Sequence, residues 1–154
     1  MAARTAWRLV KARHARTAFD GEGARLYGGR WNSPATRMVY TAATPSLAVL
    51  EILVHLHATA PLGGYVLIEA QVPESLIEEP ARLPADWRVM PAPGSTRRMG
   101  DEWIRTGRSA AWAVPSVISP SERLILLNPA HRDFARVRLG RPRPFLLDPR
   151  LLGS

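Results

Sequence analysis

The stretch YGGRWNSPATRMVYTAATPSLAVLEILVHL, residues 27–56, decides how this chain is read. Its glycines and Pro34 mark a loop. MVYTA then alternates Met38, Tyr40 and Ala42 against Val39 and Thr41, the two-residue period of a strand. Thr44 followed by Pro45 predicts a helix start: a threonine cap, then a proline at the first helical position, where its missing N–H costs nothing. The predicted helix runs to about Ala58. From Leu47 to Leu56 it is apolar in almost every direction, the pattern of a buried helix. One carboxylate, Glu51, interrupts it, sharing a face with Leu47, Leu50 and Val54. A buried ionised carboxylate is costly unless it is paired. Glu51 is therefore either a buried ion-pair member, with Arg30 as partner, or the acidic wall of a site that meets a transient cation.

Outward from this stretch, TAWRLV predicts a first strand and GGYVLIEAQVP a clear later one, stopped by Pro73. ESLIEE suggests a short acidic helix. RLPADWRVMPAPGS is proline-rich loop, and STRRMGDEWIRTGRSA predicts a helix capped by Ser95 and closed near Gly107. AWAVPSVI, RLILLN and RPFLLD add three short apolar runs. Strands interleaved with a few helices, without regular alternation, predict an α+β fold rather than a doubly wound one.

The 154 residues fit one domain, and 46% hydrophobic content suffices for a core. No run of eighteen apolar residues could cross a bilayer, and the arginine-rich start lacks a secretory signal's apolar stretch, so the expectation is a cytoplasmic protein without a membrane anchor. Cysteine is absent, which excludes disulfide and thiolate chemistry. The net charge is +8, and arginine supplies all but one of the 21 basic residues. None lies between Arg37 and Arg82, where five glutamates fall, so the basic residues gather towards the two ends. That balance suits anionic partners: nucleic acid, a phosphate-bearing small molecule or an acidic protein.

Among candidate functional residues, Arg30 follows Gly28 and Gly29, which allow close backbone approach to a ligand, and its guanidinium matches a phosphate. Tyr40 can present a ring to a flat heterocycle or simply pack. Ser116, between apolar residues in VPSVI, can bond to nearby backbone. His55 and His57 face different sides of a helix and cannot share a metal, so no metal site is expected. No nucleophilic triad, Walker A loop or dinucleotide fingerprint is present.

Taken together, WR at 7–8, DGEGARLYGGRWNSP at 20–34, VYTAATPSLAVLEILVHL at 39–56, VPSVIS at 114–119, LLNPAHRDF at 126–134 and PFLLDPRL at 144–151 resemble the RES domain over almost the whole chain. The family's eponymous Arg, Glu and Ser fall on Arg30, Glu51 and Ser116. The resemblance implies a single RES domain over residues 1–154, with an ADP-ribosyltransferase-like α+β fold of short strands in a split, mixed sheet and a few helices. It also implies the toxin of a toxin–antitoxin pair whose partner is an Xre-type antitoxin, with DNA reached only through that antitoxin. The implied substrate is NAD, split at the nicotinamide–ribose bond, with ADP-ribose passing to a protein of the host cell, to water or to phosphate. In that reading Glu51, Arg30, Tyr40 and Ser116 act on NAD, with Gly29, Trp31 and Asn32 beside it. The alternative is a basic, non-catalytic nucleic-acid-binding domain, which the charge favours, although no helix-turn-helix or aromatic RNA-binding motif accompanies it.

Overall fold

In the computed structural model, which describes residues 2–153, the chain builds one mixed eight-stranded sheet; Met1 and Ser154 of the expected domain lie outside the described residues. The strands are β1 (Ala3–Lys11), β2 (Val39–Ala42), β3 (Tyr65–Pro73), β4 (Ile77–Glu78), β5 (Ala111–Pro115), β6 (Arg123–Leu127), β7 (Arg138–Leu139) and β8 (Arg143–Phe145). They run in the order β4-β5-β6-β2-β1-β3-β7, with β8 also on β3. Only the β4–β5 pair is parallel. Among the described residues three α-helices, with short 3-10 segments between elements, accompany the sheet: α1 (Glu22–Tyr27), α2 (Pro45–Leu53) and α3 (Gly94–Thr106). The class is α+β, as the irregular mixture of strands and helices predicts.

Strand alternation divides the core between the sheet's two faces. Ala6, Val39, Ile68, Ala70, Ala113 and Ile125 contribute to one cluster, covered by loops and single turns that carry Phe19 and Phe134. Trp7 and Leu9 of β1 point the other way. There α2 packs Leu47, Ala48 and Val49 over Leu9 and Ala42, while α3 sets Trp103 against Trp31, Trp112 and Leu126. Trp103 stacks on Trp112 at 5.3 Å between ring centroids, and Trp31 meets Trp112 edge-on at 5.5 Å. Gly100 makes this packing possible: a Cβ there would lie 1.6 Å from the Trp31 carbonyl oxygen. The α2 group and the α3 group, both on this face, share Leu124, and the site described below borders the seam where they meet.

Several local expectations change. Helix α2 starts as predicted, with the Thr44 hydroxyl accepting from the Leu47 N–H at 3.1 Å, but it ends at Leu53 rather than near Ala58. Two tightened turns follow, His55 N–H to Ile52 O and Leu56 N–H to Leu53 O. They bring Leu56 and Leu62 back onto the cluster that a straight helix would leave. Nor is α2 buried all round: Leu50, and Val54 just past its end, are exposed, while Leu47, Ala48 and Val49, with Ile52 and Leu53, meet the core. The acidic segment forms one 3-10 turn, Glu74–Leu76, and then pairs as β4, which places Ile77 opposite Ala111. Ser95 does not cap α3; Pro93 holds that position and the Ser95 hydroxyl donates to Asp86. Gly107 closes α3 in the left-handed conformation, as expected.

Candidate active site

The loop Gly28–Asn32 is organised from below by Tyr40 of β2. Its phenol oxygen accepts from the Trp31 N–H at 3.1 Å and donates to Asn32 Oδ1 at 2.6 Å. Asn32 Nδ2 donates to the carbonyls of Ala24, Ser33 and Thr36 at 2.8–3.1 Å. Gly29 is required by this arrangement, since a Cβ there would stand 2.6 Å from the tyrosine oxygen. The close approach expected at Gly28 and Gly29 is therefore made by the protein's own Tyr40 and Pro34. The side chains of Trp31 and Asn32, expected beside a ligand, are sealed in the interior and brace the loop instead. Burial chiefly raises the Tyr40 pKa far above its ordinary value, with the Trp31 N–H pulling the other way, so the phenol keeps its proton. From the far side, Arg8 of β1 donates to Ala18 O at 2.6 Å and to Tyr40 O at 2.9 Å, and burial lowers its pKa to about 10 against the charge of Asp20.

This platform presents Arg30. Its Nη1 donates to Trp87 O at 3.1 Å and Val89 O at 2.8 Å, and Nη2 contacts Met90 Sδ. The buried Arg30–Glu51 ion pair that the sequence left open is not formed: no salt bridge joins them among the described residues, and they act on each other through space. Burial lowers the Arg30 pKa, and the charge of Glu51 opposes it.

Glu51 and Ser116 do meet. Ser116 follows β5, is fully buried, and donates through Oγ to Glu51 Oε1 at 2.9 Å. The same hydroxyl accepts from the N–H groups of Ile118 at 3.1 Å and Ser119 at 3.2 Å, which fixes its orientation. Among the described residues no donor reaches Glu51 Oε2. Of the apolar walls expected around Glu51, Leu47 is buried while Leu50 and Val54 stand exposed. Burial holds Glu51 above the ordinary carboxylate range, and the Ser116 hydrogen bond, His55 and Arg30 each pull it back. The carboxylate also sits two residues from the end of α2, where the helix dipole disfavours negative charge. A half-buried carboxylate with one free oxygen and a nearby cation is equipped to stabilise positive charge on a ligand.

Residues 87–90, which the sequence shows only as proline-rich loop, also border this site through the Arg30 contacts. The single sequence signal for them is an aromatic–arginine pair, Trp87-Arg88, inside a loop. Among the described residues no group of three or more His, Asp or Glu side chains is placed to hold a metal. No described helix is long and apolar enough to cross a membrane.

An α+β sheet whose far-separated arginine, glutamate and serine converge on one seam defines a class of protein, and the family model of the RES domain matches residues 5–148. The chain belongs to the RES domain family. It is 36% identical over 148 residues to Toxin Res of Yersinia enterocolitica, covering 94% of this chain and 97% of that protein. It is 37% identical over 154 residues to the Prs ADP-ribosylating toxin of a Sphingobium species, covering 95% of each. A chain in the crystal structure of the M. tuberculosis MbcT–MbcA toxin–antitoxin complex superposes with a TM-score of 0.74, at 19% identity, over 98% of this chain and 87% of that one. That last likeness is one of fold.

Proposed function

We propose that this chain is the toxin of a toxin–antitoxin pair and that it cleaves NAD at the nicotinamide–ribose bond. The observation that carries the reading is Glu51, oriented through one oxygen by Ser116 Oγ at 2.9 Å while the other oxygen has no donor among the described residues. Breaking the nicotinamide–ribose bond develops an oxocarbenium-like sugar, the electronic problem that glycosidases solve with carboxylates. Glu51 would hold the ribose hydroxyls and face that positive charge, in a setting where burial strengthens the interaction. Arg30 would supply positive field to the substrate's phosphates, Ser116 would keep Glu51 aimed, and Tyr40, through Gly29, Trp31 and Asn32, would hold the Arg30 loop in place. ADP-ribose would pass to a protein side chain, water or phosphate, without a metal. The names of the relatives, toxins and an ADP-ribosylating toxin, support this reading. The toxin–antitoxin complex of the structural neighbour supports an antitoxin partner, which the exposed Leu50 and Val54 beside Glu51 would suit.

The test is mass spectrometry of NAD incubated with the purified chain, with and without phosphate, cell lysate and a chelator. Nicotinamide release that is indifferent to the chelator is expected, and the fate of ADP-ribose names the acceptor. Folded protein that releases no nicotinamide under any of these conditions overturns the proposal.

A further inference from the structure

Around the seam, hydrogen bonds, the backbone between them and one through-space charge interaction form a ring. Glu51 is held by Ser116; the next residue, Val117, accepts through its carbonyl from Arg88 Nη2 at 3.3 Å; and the peptide carbonyls on both sides of Arg88, those of Trp87 and Val89, accept from Arg30. Arg30 completes the circuit through its electrostatic interaction with Glu51. Trp87 is anchored in the tryptophan cluster, with the Arg88 guanidinium 5.8 Å from its ring centroid, so the backbone that presents Arg88 is fixed from two directions.

The two arginines of the ring are used differently. Arg30 directs its Nη donors to two carbonyls and a sulfur, contacts that hold residues 87–90 in position. Arg88 is exposed, makes one long hydrogen bond, and has no carboxylate within salt-bridge distance among the described residues. Most of its five N–H donors are therefore open to solvent at the mouth of the ring, one residue along the contact path from Ser116. A guanidinium in that state matches a phosphoryl oxyanion in charge and in fork geometry.

We propose that Arg88 is a second arginine of this site, taking a phosphoryl oxyanion of the substrate by direct hydrogen bonds, while Arg30, its Nη donors committed to the loop that carries Arg88, supplies positive field from behind. This rests on the reading of the site as one that acts on NAD, whose diphosphate is the first candidate; free phosphate serving as acceptor offers the same chemistry.

The experiment compares wild type with Arg88→Gln and Arg88→Lys in two measurements: calorimetric binding of inorganic pyrophosphate, and steady-state nicotinamide release, with and without added phosphate, from NAD and from nicotinamide riboside, which lacks phosphate. Arg88→Gln is expected to weaken pyrophosphate binding and to raise KM for NAD about tenfold or more, the scale of a charge-assisted hydrogen bond, with kcat little changed. Arg88→Lys should recover part of the loss, and turnover of nicotinamide riboside should be the same in all three proteins. A defect confined to phosphate-stimulated turnover also supports the proposal and identifies the oxyanion as the acceptor. Equal pyrophosphate affinity in wild type and Arg88→Gln, or no pyrophosphate binding by wild type, overturns it. If wild type binds pyrophosphate through Arg88 yet releases no nicotinamide, the phosphate site stands and the NAD reading falls.

Discussion

Asn32 and Glu51 are both polar groups set among apolar neighbours, and they are treated in opposite ways. Asn32 is fully enclosed, with its amide nitrogen donating to three carbonyls and its oxygen accepting from Tyr40. Glu51 has one oxygen bonded to Ser116, no described donor on the other, and a pKa displaced upward by burial. A closed network of buried hydrogen bonds fixes one backbone conformation, whereas a half-satisfied carboxylate is a cost that folding alone does not explain. The first builds the platform for Arg30, and the second is placed to work on a ligand. Glu122 provides a control, since both its oxygens accept hydroxyls, from Thr44 at 3.0 Å and from Ser119 at 2.8 Å.

The contrast predicts which substitutions damage the fold and which damage the chemistry. Asn32→Ala should be the most damaging to stability, on the order of 3–5 kcal/mol, because it strands several buried partners at once. Thermal unfolding checks this, and a variant of normal stability that merely binds NAD poorly would return Asn32 to the role of ligand contact. Tyr40→Phe removes one hydroxyl from the same network and should cost about 1–3 kcal/mol.

Ser116→Ala acts on the other side of the comparison, with nicotinamide release falling about tenfold as Glu51 loses its orienting bond. The pH profile carries a sign. Glu51 is active ionised and its pKa is raised, so the acid limb of kcat/KM should lie above the ordinary glutamate value. Loss of the Ser116 bond, which pulls that pKa down, should move the limb to still higher pH. Stability runs the opposite way: the contribution from protonating Glu51 is complete below the ordinary value and is lost as pH rises through the raised one. Glu122→Gln should have the smallest effect, about 1 kcal/mol of stability with turnover intact, because its oxygens serve two hydroxyls that an amide still partly satisfies. A large fall in turnover there would erase the distinction between the two glutamates.

Much of this was legible in the residues. Strand alternation at Val39–Ala42 and Tyr65–Pro73 and the Thr44-Pro45 start of α2 are local signals, and the local structure follows them. The end of α2 was not legible, because Leu56 turns back onto the cluster around Leu9 and Leu47, a packing that no local pattern encodes. β7, two residues long, is defined only by pairing with Ala70 and Gln71. Within the site, Glu51 stood out as a charge on an apolar helix and Ser116 as a serine among apolar residues, but their pairing across 65 residues was not legible, because no spacing encodes it. The burial of the Asn32 side chain was not legible either, because a motif records which residues recur, not which way they face. Trp87–Met90 went unseen because their role lies partly in backbone carbonyls, which every residue has.

The central claim is that Glu51 serves chemistry and not folding, and Glu51→Gln tests it most directly, since it keeps the shape and removes the charge. Single-turnover nicotinamide release and thermal unfolding, measured on one preparation of wild type and variant, give the answer. Release is expected to fall on the order of 10²-fold or more, the scale of removing one electrostatic stabiliser, with the melting temperature unchanged or slightly raised. A variant that melts far below wild type while releasing nicotinamide at a near-normal rate would contradict the claim.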